Sequence, residues 1–125
     1  WLLFPLGIGV NRLLTRTADI PDKWRKKLDV LLGTTDWFEA FYSFEQNQGL
    51  FGEPVDHIVK ASTETIGRYF NDRLRSVFAE VAEHPRVLRN SVGCPLYLLC
   101  FGAGNPKGAP IAVRIAEYLL AASAR

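Results

Sequence analysis

Residues 95–101 read Pro-Leu-Tyr-Leu-Leu-Cys-Phe, and no position in that run is charged. A strand that is apolar at every position must be covered on both faces, so it belongs inside a sheet with layers above and below. Gly102, Gly104 and Gly108 follow, and then an amphipathic stretch of helical period over 109–122. Strand, glycine-rich loop and helix in that order predict an α/β arrangement, the order that phosphate-binding α/β proteins use.

The glycine spacing argues against a nucleotide cradle. A dinucleotide fingerprint requires G-x-G-x-x-G, and these glycines read G-x-G-x-x-x-G, one residue too long. The P-loop pattern G-x-x-x-x-G-K-[S/T] is absent too. The loop reads better as a strand-to-helix link stiffened by Pro106 and Pro110, with Asn105 and Lys107 as candidate anion contacts near the helix N-terminus.

Upstream, the chain divides by period. Residues 1–4 read as a short buried strand stopped by Pro5, and 10–15 as a short helix with Val10, Leu13 and Leu14 inward. Over 21–32, Trp24, Leu28, Leu31 and Leu32 make one apolar face, Pro21 suits the first helical position, and Gly33 suits a left-handed cap. A very aromatic helix is expected over 37–44, with Asp36 and Glu39 spaced as a capping box. A loop over 46–54 follows. The longest helix is expected over 63–76, with a start as early as Val55 left open. Ser62 or Thr63 caps it, and Ile66, Tyr69, Phe70, Leu74 and Val77 form its core stripe. Glu64–Arg68 and Arg68–Asp72 are spaced as ion pairs on its outer face. Residues 78–81 and 87–89 then read as strand, broken at His84-Pro85, which makes that strand an edge or bulged there. A turn at 91–93 closes a hairpin onto residues 95–101. On the last helix, Ile111, Ile115, Tyr118 and Leu119 repeat the apolar stripe.

Composition excludes several classes. The 125 residues fit one domain, 48% hydrophobic and 22% charged, with a net charge of +2. That excess is too small to argue for nucleic acid by itself. A basic cluster nonetheless exists, and Arg12, Lys23, Lys26 and Lys27 join Asn105 and Lys107 as candidate anion or partner contacts. Asp19, Asp22 and Asp29 are interspersed among them, as on an ordinary solvated face. Cys94 and Cys100 make no disulfide scaffold, so a reducing, cytoplasmic setting is expected. His57 and His84 are isolated, no zinc spacing occurs, and no catalytic motif appears; neither a catalytic residue, a metal site nor a cofactor site is expected. No apolar run reaches the roughly 18 residues of a membrane span. The first residue is Trp and the sequence contains no Met, so the chain is expected to be the C-terminal piece of a longer protein.

An ordered set of short motifs recurs along nearly the whole chain: Leu2-Leu3-Phe4-Pro5-Leu6, Val10-Asn11-Arg12-Leu13-Leu14, Trp24 with Leu28, Phe41-Tyr42, Pro95-Leu96-Tyr97-Leu98-Leu99, and Gly104-Asn105-Pro106-Lys107-Gly108. The set resembles the C-terminal half of the three-Cys-motif partner proteins (TcmP). The resemblance implies a bacterial or phage-associated protein with a Rossmann-like, class I methyltransferase-like fold. It also implies a neighbouring protein that carries a three-cysteine motif. In such a fold S-adenosylmethionine sits on loops of the N-terminal half, so no donor-binding residue carries onto this chain.

The fold expected is then a small sheet of about three strands. Residues 1–5 form a parallel-type strand, 7–76 a helical insert, 77–101 an antiparallel hairpin and 109–122 the last helix. Residues 96–101 lie between the other two strands, antiparallel to both. The role implied is structural or partner-docking, without activity alone. The missing N-terminal half or a dimer mate would lie against strand 1–5, and a three-Cys-motif protein is a further partner. The alternative is a nucleic-acid-binding or protein-interaction module built on the basic helix 21–32.

Overall fold

The computed structural model describes residues 1–48 and 54–122. Its centre is a three-stranded sheet in the order β1 (Leu2–Phe4), β6 (Pro95–Cys100), β5 (Arg86–Arg89), with β6 antiparallel to both neighbours. Two antiparallel pairs stand beside it: β2 (Tyr42–Gln48) with β3 (Pro54–Lys60), and β4 (Glu80–Val81) with β7 (Gly102–Ala103). The helices are α1 (Asp22–Leu32), α2 (Trp37–Phe41), α3 (Thr63–Leu74) and α4 (Ala109–Ala122). The protein is therefore a mixed α/β fold with small antiparallel sheets, and the apolar run 95–101 supplies its central strand.

Alternation along β6 builds a core on each face of the sheet. Leu98 and Cys100 enter the larger core, with Phe4, Leu6, Val10, Leu28, Leu32, Trp37, Phe41 and Ile66. Leu99 and Phe101 turn the other way and pack on Ala82, Val113 and Leu120. Helices α1, α2 and α3 thus cover one face, and α4 covers the other. Phe4 stacks on Phe70 at 3.8 Å and 6°, tying β1 to α3. Trp37 is fully buried, and its Nε1–H donates to Asp29 Oδ1 at 2.6 Å, tying α2 to α1. The Tyr42 hydroxyl donates to the Thr15 carbonyl at 2.6 Å, and Lys60 Nζ donates to the Asn11 carbonyl at 3.1 Å. Burial raises the Tyr42 pKa and lowers that of Lys60, because each charged form would sit in a less hydrated place.

Local chemistry sets several boundaries as the sequence indicates. Gly33 ends α1 at φ +68°, and the Ser62 side chain caps α3 by accepting from the Thr65 amide. The β5–β6 hairpin turns at Gly93, φ +86°, where Asn90 Oδ1 accepts from the amides of Val92 and Cys94.

Other expectations are corrected. The short helix over 10–15 is instead a π-helical turn, Leu6–Asn11, closed by bonds such as Arg12 N–H to the Gly7 carbonyl. The aromatic helix stops at Phe41, and Asp36 makes no side-chain cap, so the capping box does not form. Residues 42–48 and 54–60 are paired strands rather than the end of a helix and a loop, so the insert 7–76 is not purely helical. Aromatic and β-branched residues such as Tyr42, Phe44, Val55, Ile58 and Val59 suit strands, and the helical reading gave them too little weight. The rest of the expected loop, 49–53, lies outside the described residues. Helix α3 ends at Leu74, which leaves Val77 exposed rather than in the core stripe. The ion pair found on its outer face is Arg75–Asp72 at 3.6 Å. The edge strand splits at His84-Pro85 into β4 and β5, and these pair with different partners.

Three glycines are required by close approach, Gly9 among them, where a Cβ would stand 2.7 Å from Pro5 Cβ. A Cβ on Gly102 would stand 2.5 Å from the Phe78 ring, and a Cβ on Gly7 would overlap the Pro95 carbonyl oxygen. Gly104 has nothing within 4 Å. Gly7→Ala is expected to cost about 2–3 kcal/mol, since backbone must move. Gly104→Ala should change stability by no more than about 0.5 kcal/mol. Denaturant midpoints of the two variants check the contrast. The buried Cys100 thiol is pushed up to about 12 by desolvation, while Cys94 is exposed. Near pH 8, therefore, a disulfide reagent should label Cys94 at once and Cys100 only after denaturant is added. Between the ordinary thiol value of 9.0 and about 12 the native state holds a proton that the unfolded state releases, so stability falls as pH rises through that window. Cys100→Ala should remove that part of the slope.

Candidate functional site

The glycine loop is committed to structure at both ends. Gly102 lies in β7 against Phe78, paired with Val81. Asn105 Oδ1 accepts from the Lys107 amide at 3.0 Å, and its carbonyl accepts from the Ala109 amide at 2.8 Å. Two of the amides that an anion would use are therefore bonded within the turn that starts α4. The Lys107 side chain is exposed.

The remaining candidate contacts lie elsewhere. Lys23, Lys26 and Lys27 are exposed on α1, and Arg12 is exposed just after the π-helical turn. Helix α1 packs on the face of the sheet opposite α4, so these residues do not converge with Asn105 and Lys107. Two neighbours in the basic stretch have internal tasks. Arg25 lies over the Phe38 ring at 4.7 Å and donates from Nε to the Ile20 carbonyl at 3.3 Å, while Asp29 holds Trp37. Among the described residues no group of three or more His, Cys, Asp and Glu is arranged to hold a metal ion. No helix there is long and apolar enough to cross a membrane. His84 is exposed in the turn before β5, and the His57 side chain lies outside the described residues.

What the structure does leave exposed are large apolar side chains on α4 and on β1, the strand that ends the sheet. The apolar stripe Ile111, Ile115, Tyr118 and Leu119 is exposed. The buried positions are Ala109, Val113, Ala116 and Leu120, one or two places along from the larger residues. Two alanines, a valine and a leucine are thus the buried residues of α4, which packs on β4 and β7. On the same side of the sheet lies the outward face of β1. Leu3 pairs with Leu99, whose side chain points toward α4, and Leu3 is 55% exposed. Trp1 meets Phe101 edge-to-face at 5.0 Å and 63°, and is 58% exposed. Strand β1 ends the sheet, and no described strand pairs with its outer edge.

Large apolar side chains beside unpaired strand backbone can take up another strand, with a covering layer on the α4 side. The sequence carried half of this signal: the stripe on α4 was visible, but not which stripe faced the sheet. No protein-family model matches the chain, and no curated protein or solved structure matches it. The family resemblance rests on the sequence motifs alone.

If Asn105 serves the turn rather than a ligand, Asn105→Ala should destabilise the protein by about 1 kcal/mol, the cost of losing a local cap. Lys107→Ala should be neutral. Thermal melts of both variants check this, and inorganic phosphate should leave the amide resonances of 105–109 unmoved.

Proposed function

We propose that this chain is the sheet-closing, C-terminal portion of a methyltransferase-like three-Cys-motif partner protein, with a docking role and no activity alone. The observation that carries the reading is the order β1-β6-β5, with β6 inserted between its neighbours and antiparallel to both. In a Rossmann-like methyltransferase the last strand inserts in this way, next to a strand whose other edge continues the sheet. Here that other edge belongs to β1, where Trp1 and Leu3 are exposed. The partner is the N-terminal half of the same domain or a dimer mate, and a three-Cys-motif protein is the outside partner. The protein is cytoplasmic.

S-adenosylmethionine does not fit the glycine loop, because Gly102 is pressed on Phe78 and Asn105 is bonded to the Lys107 amide. The donor would be held by the N-terminal half. Nucleic-acid binding by residues 21–32 draws less support, since Arg25 and Asp29 are engaged inside the fold.

The test has two arms. S-adenosylmethionine should bind the full-length protein and not the 125-residue chain. Light scattering of the 125-residue chain should show association, which Leu3→Glu with Ile115→Glu abolishes. A monodisperse wild-type monomer, donor binding by the 125 residues alone, or salt-sensitive RNA binding by them would overturn the proposal.

A further inference from the structure

Helix α4 buries one face, and the face turned from the sheet carries its larger side chains. Ala109, Val113, Ala116 and Leu120 are buried, while Ile111, Ile115, Tyr118 and Leu119 are 65%, 56%, 74% and 49% exposed. The exposed four lie at i, i+4, i+7 and i+8, one above another on a single stripe. No charge interrupts it. Arg114 stands at its margin, and Glu117 is engaged within the fold, where its Oε1 accepts from the Glu83 amide at 3.0 Å.

Single exposed apolar residues are ordinary, but a contiguous stripe marks a contact surface. At about 150–250 Å² for a large side chain, these fractions leave roughly 450 Å² of apolar surface open on α4. Two such stripes laid together bury roughly 900 Å² from these side chains. Pro110, Arg114 and Ala121, exposed at the margins, carry the total past the roughly 1,000 Å² that a specific interface needs.

The stripe is also its own complement. Set antiparallel across a two-fold axis, two copies of α4 bring Ile115 to the partner's Tyr118 and Leu119 to the partner's Ala112, and each contact recurs by symmetry. Arg114 then falls beside the partner's Ala121, so no like charges meet. The antiparallel arrangement also sets the two helix dipoles against each other favourably.

We propose that α4 is a homodimer interface, on which a second copy of this chain pairs stripe to stripe about a two-fold axis. The inference does not rest on the methyltransferase-like reading: it uses α4 alone and leaves the outer edge of β1 free. With an area at the low end for specific complexes, association in the micromolar range is expected.

Sedimentation of the 125-residue chain from about 1 to about 500 μM should show a mass rising to that of two chains. Ile115→Glu should weaken this association at least about thirtyfold, and Leu3→Glu, on β1, should leave it unchanged. Both residues are exposed, so circular dichroism should report the same fold in each variant. In a Cys94→Ser background, a short bismaleimide should join chains carrying Ile115→Cys and not chains carrying Val30→Cys, which is 82% exposed on α1. A chain that stays monomeric throughout overturns the proposal, as does an Ile115→Glu variant that pairs normally or equal cross-linking at the two cysteines. Association lost with Leu3→Glu and kept with Ile115→Glu assigns it to the β1 edge instead, which overturns this inference and leaves the methyltransferase-like reading standing. A monomeric full-length protein in which Ile115→Cys resists maleimide also overturns it, because the longer chain then covers its own stripe.

Discussion

The rest of the molecule depends on the burial of β6 on both faces. A strand with Leu98 and Cys100 on one side and Leu99 and Phe101 on the other cannot be stable until two layers cover it. At roughly 25 cal/mol per Å² of apolar area, a fully buried side chain of this size contributes about 1.5–3 kcal/mol. Both layers are therefore worth building, although the chain spends most of its length on one of them. Among the described residues, 6–48 and 54–74 wrap the Leu98–Cys100 face through the π-helical turn, α1, α2, the β2–β3 pair and α3, and α4 covers the other.

That asymmetry explains where the molecule is closed and where it is open. The larger core is cross-tied by specific polar contacts, Trp37 to Asp29, Tyr42 to Thr15 and Lys60 to Asn11, each joining segments that are apart in sequence. The smaller core gathers Ala82, Val113 and Leu120, with Leu99, Phe101 and Ala103 packed against them. From α4 it receives Val113 and Leu120, while Ile111, Ile115, Tyr118 and Leu119 of that helix are exposed. Among the described residues the α4 stripe is left exposed and the outer edge of β1 is left unpaired.

How much was legible in the sequence varies with the kind of signal. The strand at 95–101, the helices at 21–32 and 63–74 and the Gly33 and Ser62 caps were readable, because period and capping chemistry act over one or two turns. The insertion of β6 between β1 and β5 came from the family resemblance, and the structure has that order. The β2–β3 pair was missed: a run such as Trp-Phe-Glu-Ala-Phe-Tyr-Ser-Phe satisfies helix and strand alike until its partner is placed. The stripe of α4 is legible but its exposure is not, because amphipathicity says that a helix has an apolar side without saying what lies against it.

The sequence by itself determined that residues 95–101 would be covered on both faces, that the glycines after them would link a strand to a helix, and that no nucleotide-binding spacing was present. These properties belong to short stretches, in which each residue constrains its near neighbours. Only the tertiary structure decided that Gly102 was needed against Phe78, that the lysines of α1 and the turn at Asn105 lie on opposite faces, and that α4 turns its large side chains to solvent. Each of those depends on which distant segment arrives at a given face. That choice comes from packing volume and hydrogen-bond satisfaction summed over the whole chain, and no local pattern contains it.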